Sequence, residues 1–422
     1  ELPRYPTRLL FSNRQSSYKW LVVFMLWFVC LLNYADRQAI YSVFPVLKRQ
    51  YGLTNLQLSY IASSFMWVYA IAGPFGGLIA DRVSRKFIIL SGLIFWSAVT
   101  IFTALSQNYW QLVLCRALEG LGEACYFPAS MSMLSAYHPP ETRSRAIAWH
   151  QSSIYVGTIA GGSVAGLLAE QYGWRSSFYL FGSAGIVLGC VLLFFLEEPA
   201  PPSDPAERRP YSIPATIRRL FGAPMPVILM LVFIGANFVN VVFLTWLPYY
   251  LNQFFHMSLG LSGWNATAYL QAGSILGVVL GGILADLWIR SRKAGRMLVQ
   301  AAGLLAGTPF LFMTGWTRAV PLFLLSLAAF GLCRGLYDSN LSAALHDVVP
   351  VQLRGTAVGV LNSLGWLGAG VGPLAMAAAS SRIGMSACLS ANSAIYGFIG
   401  ILLVFSAIRF VPERQRQSLV VS

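Results

Sequence analysis

Seven ionisable side chains stand inside stretches that otherwise look built for lipid. Asp36 and Arg37 sit in LLNYADRQAIY, Arg116, Glu119 and Glu123 in CRALEGLGEA, and Arg334 and Asp338 in GLCRGLYDSNL. A charge at the centre of a membrane helix costs about 2.5–3.5 kcal/mol on the insertion scale. Seven such residues must therefore pair with one another, face a wet cavity, or both. The types suggest one chemistry. Desolvation raises a carboxylate's pKa and a neighbouring arginine lowers it, and together the two effects can set it near neutral pH. Once protonated, the carboxyl group releases its arginine, and the freed guanidinium can hold an external carboxylate through two hydrogen bonds. The alternative is a static set of ion pairs that fastens helices together.

Helical spacing supports grouped action. Arg116, Glu119, Gly120 and Glu123 are offset by three, four and seven and share one face. Arg116 can pair locally with Glu119 or Glu123, and its place toward the periphery of its helix favours gating or proton relay. Tyr126 and Phe127 extend the same stripe. Glu119 reads as a solvated or headgroup-facing side chain. Arg334, Tyr337 and Asp338 gather in the same way, and Asp338 can pair with Arg334 or bind an amino or hydroxyl group. Tyr34 lies three residues before Arg37, on its face. Asn237, Asn240, Trp246, Tyr249, Gln271 and Asn362 are further candidates to line a cavity. Their other reading is hydrogen bonding between helices, worth ~0.6 kcal/mol on average. His150 can titrate near neutrality, although a lone histidine near a helix end is more often structural.

The elements that carry these residues follow from composition. Only 10% of the 422 residues are charged and 56% are hydrophobic, against roughly 25% charged in soluble proteins. A soluble domain could not cover its surface with so few charges. The basic opening runs straight into an apolar segment, so no cleavable signal is expected. The six cysteines fall in apolar runs without metal spacing and read as packing residues.

A bilayer-crossing helix needs about 20 apolar residues, and twelve runs qualify. They lie near 19–46, 57–80, 87–106, 109–136, 146–169, 176–196, 226–253, 263–286, 297–315, 319–345, 354–380 and 386–410. One set of loops holds 21 Lys and Arg residues and the other only five. By the positive-inside rule the first set is cytoplasmic, with both termini. The net charge of +14 is then topology and contact with anionic lipid, and nucleic acid is not an expected partner. The expected organisation is a cytoplasmic segment 1–18, a six-helix bundle 19–196, a Pro-rich cytoplasmic linker 197–225, a second bundle 226–410 and a cytoplasmic tail 411–422.

The halves repeat. GGLIADRVSRK, Gly76 to Lys86, follows the second span and GGILADLWIRSRK, Gly281 to Lys293, follows the eighth. Each has a glycine pair, then Ala-Asp, then basic residues. Gly77, Asp81, Arg82, Arg85 and Asp286 are thus candidate gating residues. The glycines let helices approach, the Asp meets a helix N-terminus and the arginines bridge helix ends. This repeat, with GWRSSF at Gly173–Phe178 and CRALEGLGEA, resembles the major facilitator superfamily of secondary transporters. The resemblance covers essentially the whole chain. It implies an all-α membrane protein of twelve transmembrane helices in two pseudo-symmetric six-helix bundles. A central cavity would be lined by the first, fourth, seventh and tenth spans. Trp288 and Ile289 intrude in the second loop and Ser84 stands where a glycine is usual, changes that bear on gating strength.

Within the superfamily, LNYADRQ, GEACYFPAS and FLTWLPYYL resemble the anion:cation symporter family of sugar-acid permeases and vesicular organic-anion transporters. The tyrosine of GEACY is closer to the Spinster-like lysolipid transporters, the alternative. The anion resemblance implies Asp36 and Glu123 as protonation sites and Arg37 as the carboxylate anchor. It also implies a proton gradient in place of a cofactor, no metal, and a small carboxylate substrate. A monomer among membrane lipids, in a bacterial inner membrane, is expected. A non-transporting sensor with this fold is weighed against by the retained loops and buried charges. An enzyme has no nucleophile–base pair, metal cluster or nucleotide loop here to support it.

Overall fold

A computed structural model describes residues 7–80, 83–199, 220–289, 292, 294–350 and 353–410. Among them are fifteen helices and no strand. The first half contains α1 (Thr7–Ser42), α2 (Phe44–Tyr51), α3 (Asn55–Ala80), α4 (Arg85–Leu105), α5 (Tyr109–Glu123), α6 (Tyr126–Tyr137), α7 (Pro140–Gln171) and α8 (Arg175–Phe195). The second contains α9 (Pro224–Phe254), α10 (Leu259–Ile289), α11 (Gly295–Trp316), α12 (Val320–Asp338), α13 (Leu341–Val348), α14 (Arg354–Ile383) and α15 (Met385–Phe410). Asp81, Arg82 and residues 200–219 of the linker lie outside the described residues.

Among the described residues, eleven helices are long and apolar enough to cross a membrane. The expected span 109–136 is the exception, because it is broken into α5 and α6. The cause is local. Pro128 has no N–H to bond the Ala124 carbonyl four residues back, and its ring clashes there. The helix parts at Ala124–Cys125. Joined end to end, α5 and α6 supply the twelfth crossing. Its counterpart in the second half breaks at Ser339–Asn340 without a proline. There the Asn340 amide donates to the Gly281 carbonyl of α10 at 3.2 Å.

Both halves use one packing scheme. In the first, α1 packs on α7, α3 on α5 and α4 on α8; in the second, α9 packs on α14, α10 on α12 and α11 on α15. In span order each half thus pairs first with fifth, second with fourth and third with sixth. The bundles meet where α3 lies on α14 and α7 on α10.

That contact is one-sided. Ser59 Oγ donates to the Pro373 carbonyl at 2.8 Å, Ser63 Oγ to Gly370 at 2.6 Å and Trp67 Nε1 to Leu367 at 3.3 Å. The same stripe of α3 continues through Ile71, Phe75 and Ile79, which are 60%, 62% and 44% exposed. On the α14 side, Asn362 is exposed as well. Lys48 Nζ reinforces the closed end, donating to Tyr249 Oη of the other bundle at 2.9 Å and to Asn55 Oδ1 at 2.6 Å. The molecule is therefore closed near Lys48 and Pro373 and splayed toward the other membrane face.

Glycine fixes how near α7 comes to α1. A β-carbon on Gly161 would collide with the backbone of Ala35, and one on Gly157 with that of Leu31. Backbone cannot yield as a side chain does, so the Asp36–Arg37 pair is set by this close approach. Gly161→Leu is expected to cost at least ~1–3 kcal/mol of overpacking and to lower the thermal midpoint of the purified protein. Gly359→Ala, in open space, should not lower it. Equal midpoints for the two variants would contradict this packing.

Candidate functional site

Neighbouring helix residues point about 100° apart, so Asp36 and Arg37 serve different surroundings. Arg37 turns toward α5, where its Nε donates to Glu123 Oε2. Its guanidinium lies 4.7 Å from the ring centres of Tyr34 and Tyr69 and 4.9 Å from that of Phe65. Trp366 of the second bundle adds a fourth ring at 5.7 Å. A cation over ring faces is stabilised most when desolvated, and Arg37 is only 7% exposed. Its Nη1 and the Glu123 Oε1 have no hydrogen-bond partner. Glu123 is held by one contact, to a residue that could bond something else.

Asp36 turns instead toward the interior of the first bundle, near Glu119, Glu123 and Arg116. Neither of its oxygens makes a hydrogen bond among the described residues. The Thr100 hydroxyl beside it is donated to the Trp96 carbonyl.

Arg116 pairs with Glu119, not Glu123. Glu119 therefore departs from its expected solvated position: it is 1% exposed and also accepts from Thr103 Oγ1 at 3.3 Å. Burial follows from α5 packing its charged face inward against α3 and α4. Phe65 lies between the two arginines, 4.7 Å from Arg116. Gly120 permits this, since a side chain there would strike the Phe65 backbone.

Other expected residues are dispersed. Tyr126 is 2% exposed and does not extend the Glu123 stripe, because the helix breaks between them. Its hydroxyl donates to the Leu26 carbonyl at 3.0 Å. It must then accept from His150 Nε2, also at 3.0 Å, which fixes the histidine as the Nε2–H tautomer within the bundle. Trp246 is fully buried in the closed end, its Nε1 donating to the Pro373 carbonyl. Asn237 and Asn240 are half-buried, and each keeps one polar atom without a partner. Gln271 is buried and Asn362 is exposed on the splayed side.

The second bundle repeats the Arg–acid theme differently. Arg334 Nε bonds Asp338 Oδ2 at 3.1 Å, and the two side chains are 14% and 30% exposed. Tyr337 is buried, with an unpartnered hydroxyl. The dipeptide Cys-Arg opens the charged stretch in both bundles, CRALEG at Cys115 and CRGLYD at Cys333. That repeat was a usable signal of equivalence between α5 and α12.

Of the gating residues, Gly77 lies within α3 and Asp286 is exposed on α10. Arg85 Nε donates to Ser132 Oγ at 2.7 Å. Sequence reasoning missed Glu198. Its carboxylate accepts from Ser84 Oγ and the Lys86 amide, each at 2.7 Å, and from the Arg85 amide at 3.1 Å. An acid at a helix N-terminus satisfies unpaired amides and meets the helix dipole, so Glu198 pins the start of α4 to the end of α8.

Two bundles with one packing scheme, joined at one end and holding ion pairs at mid-helix, define a membrane transporter rather than an enzyme. The chain belongs to the Major Facilitator Superfamily, whose profile matches residues 26–373 and 251–421. It is similar to the "Probable galactarate/D-glucarate transporter GudP" of Bacillus subtilis (strain 168), with 28% identity over 96% of each chain. It is also similar to the "Sialic acid transporter NanX" of Escherichia coli (strain K12), with 27% identity over 90% of this chain and 92% of that one. Among solved structures, an inward-facing bacterial homologue of the human lysosomal transporter Spinster superposes with a TM-score of 0.76. It is 21% identical, over 92% of this chain and 95% of that one.

The Arg116–Glu119 pair yields a stability prediction. Removing one partner of a buried pair costs about 3–5 kcal/mol, whereas replacing both with apolar residues is often neutral. Glu119→Gln should lower the thermal midpoint clearly, and the double variant Arg116→Met/Glu119→Leu should recover most of it. A single variant as stable as the parent would show that the pair does not hold α5 in place.

Proposed function

We propose that this protein is a proton-coupled symporter of a small organic anion, a sugar acid or similar carboxylate, working by alternating access. The observation that carries the reading is the Arg37–Glu123 contact, with Asp36 unpaired beside it. A proton on Glu123 ends its attraction to Arg37, whose guanidinium can then take the substrate carboxylate. A proton on Asp36 removes an unpaired buried charge, so that the loaded bundle closes without one. Arg116 joins Asp36 to this path as a relay partner. The names of relatives similar over most of their length support an anion: galactarate or glucarate, sialic acid and cis,cis-muconate.

The lysolipid reading rested on Tyr126. Its hydroxyl is occupied by Leu26 and His150, so that residue offers a lipid nothing. The Spinster homologue's likeness supports the shared fold alone.

The positive-inside count supports a cytoplasmic side for both termini and for the splayed face. The form described is then open inward. The protein works as a monomer in a bacterial plasma membrane, the proton gradient serving in place of a cofactor. Ser59, Ser63 and Lys48 form the outer closure that must part for the opposite state.

Uptake into proteoliposomes under an imposed pH gradient tests the assignment, with a panel of sugar acids, dicarboxylates, amino acids and lysolipids. Arg37→Ala should abolish anion uptake and binding. Asp36→Asn should bind anion at near-parental affinity but lose the response to the gradient. Gradient-driven uptake in both variants, or movement of a lysolipid alone, would contradict it.

A further inference from the structure

Three arginines stand inside the spans, and each already has a carboxylate: Arg37 with Glu123, Arg116 with Glu119, and Arg334 with Asp338. Their surroundings differ. Arg116 and Glu119 are sealed inside the first bundle. Arg334 and Asp338 are the more open pair, and Tyr155 of α7, in the opposite bundle, lies within electrostatic reach of both. That places them toward the space between the bundles. Arg334 Nη1 and the Tyr337 hydroxyl have no partner. The second bundle thus holds two buried, unused hydrogen-bonding groups beside a partly exposed carboxylate, Asp338.

We propose that Asp338 is a specificity residue that admits monocarboxylates with a hydroxylated tail and rejects dicarboxylates. This rests on the anion reading above. The argument is one of charge and hydrogen-bond type. One carboxylate of the substrate takes Arg37 when Glu123 is protonated. The far end then meets the Arg334–Asp338 pair. A hydroxyl group can accept from Arg334 Nη1 and donate to Asp338 in the same pose. A second carboxylate has only acceptors, so it gains Arg334 but faces Asp338 at close range with like charge. Of the other two arginines, Arg37 holds the first carboxylate and Arg116 is paired with Glu119 inside the first bundle. Tyr337, buried with an unpartnered hydroxyl, adds no positive charge.

The test uses a matched pair that differs only at the far end, D-gluconate and D-glucarate. Their binding to the purified full chain is read by tryptophan fluorescence, alongside other mono- and dicarboxylate pairs of equal length. The parent should favour the monocarboxylate of each pair at least tenfold. Asp338→Asn should cut that preference at least fivefold, chiefly by tighter dicarboxylate binding. Asp338→Glu keeps the charge and should keep the preference, which guards against a misfolded asparagine variant. Equal binding of both acids by the parent, or an unchanged preference in Asp338→Asn, would overturn the role of Asp338 and leave the anion reading standing. If no carboxylate binds the parent, both readings fall together.

Discussion

A guanidinium among membrane helices cannot be left unpaired, and Arg37 is where that constraint gathers the most structure. Its charge is met by Glu123 from α5, by the rings of Phe65 and Tyr69 from α3 and Tyr34 from α1, and by Trp366 from the other bundle. One side chain thus touches three helices of its own bundle and the boundary with the next. Any event that changes its partner is felt at each of them. A Tyr69–Trp366 edge contact at 5.4 Å joins the bundles beside Arg37.

The bundles are rigid in different ways. Backbone-to-backbone glycine contacts bring α7 to α1 and also join the bundles, where Gly162 meets Gly263 and Gly166 meets Leu259. These contacts leave no room for side chains and suit helices that rock as blocks. The closed end carries single hydrogen bonds from Ser59, Ser63, Trp67 and Lys48, beside the buried Phe44–Trp246 ring contact. Individually such bonds are weak, on the order of 1 kcal/mol, so the closure can part. Packing within each bundle supplies a stable body, and close glycine contacts with single hydrogen bonds make up the joint between the bundles.

Much of this was legible in the residues. The repeated GG-x-x-AD loops gave two like halves, and their shared packing scheme bears that out. Helical spacing grouped Arg334 with Asp338 and left Arg116 to choose between Glu119 and Glu123; both observed pairings are local. Arg37's partner was out of reach of spacing, since Glu123 is 86 residues away on another helix. Glu119 was misread because periodicity tells which residues share a face but not what covers that face. Phe65, Tyr69 and Trp366 carry no sequence signal of their own, being aromatics in spans rich in aromatics. Tyr126 was assigned to the Glu123 face by counting through a helix that Pro128 interrupts.

The central claim is that Glu123 and the substrate carboxylate compete for Arg37, with a proton taken up as they exchange. The direct measurement is proton uptake on binding, read with a pH indicator in weakly buffered detergent solution as a carboxylate substrate is added near pH 7. The account predicts uptake of about one proton per anion bound, and little or none in Glu123→Gln. Full binding by the parent protein with no change in bulk protons would contradict it and leave Arg37–Glu123 as a structural tie.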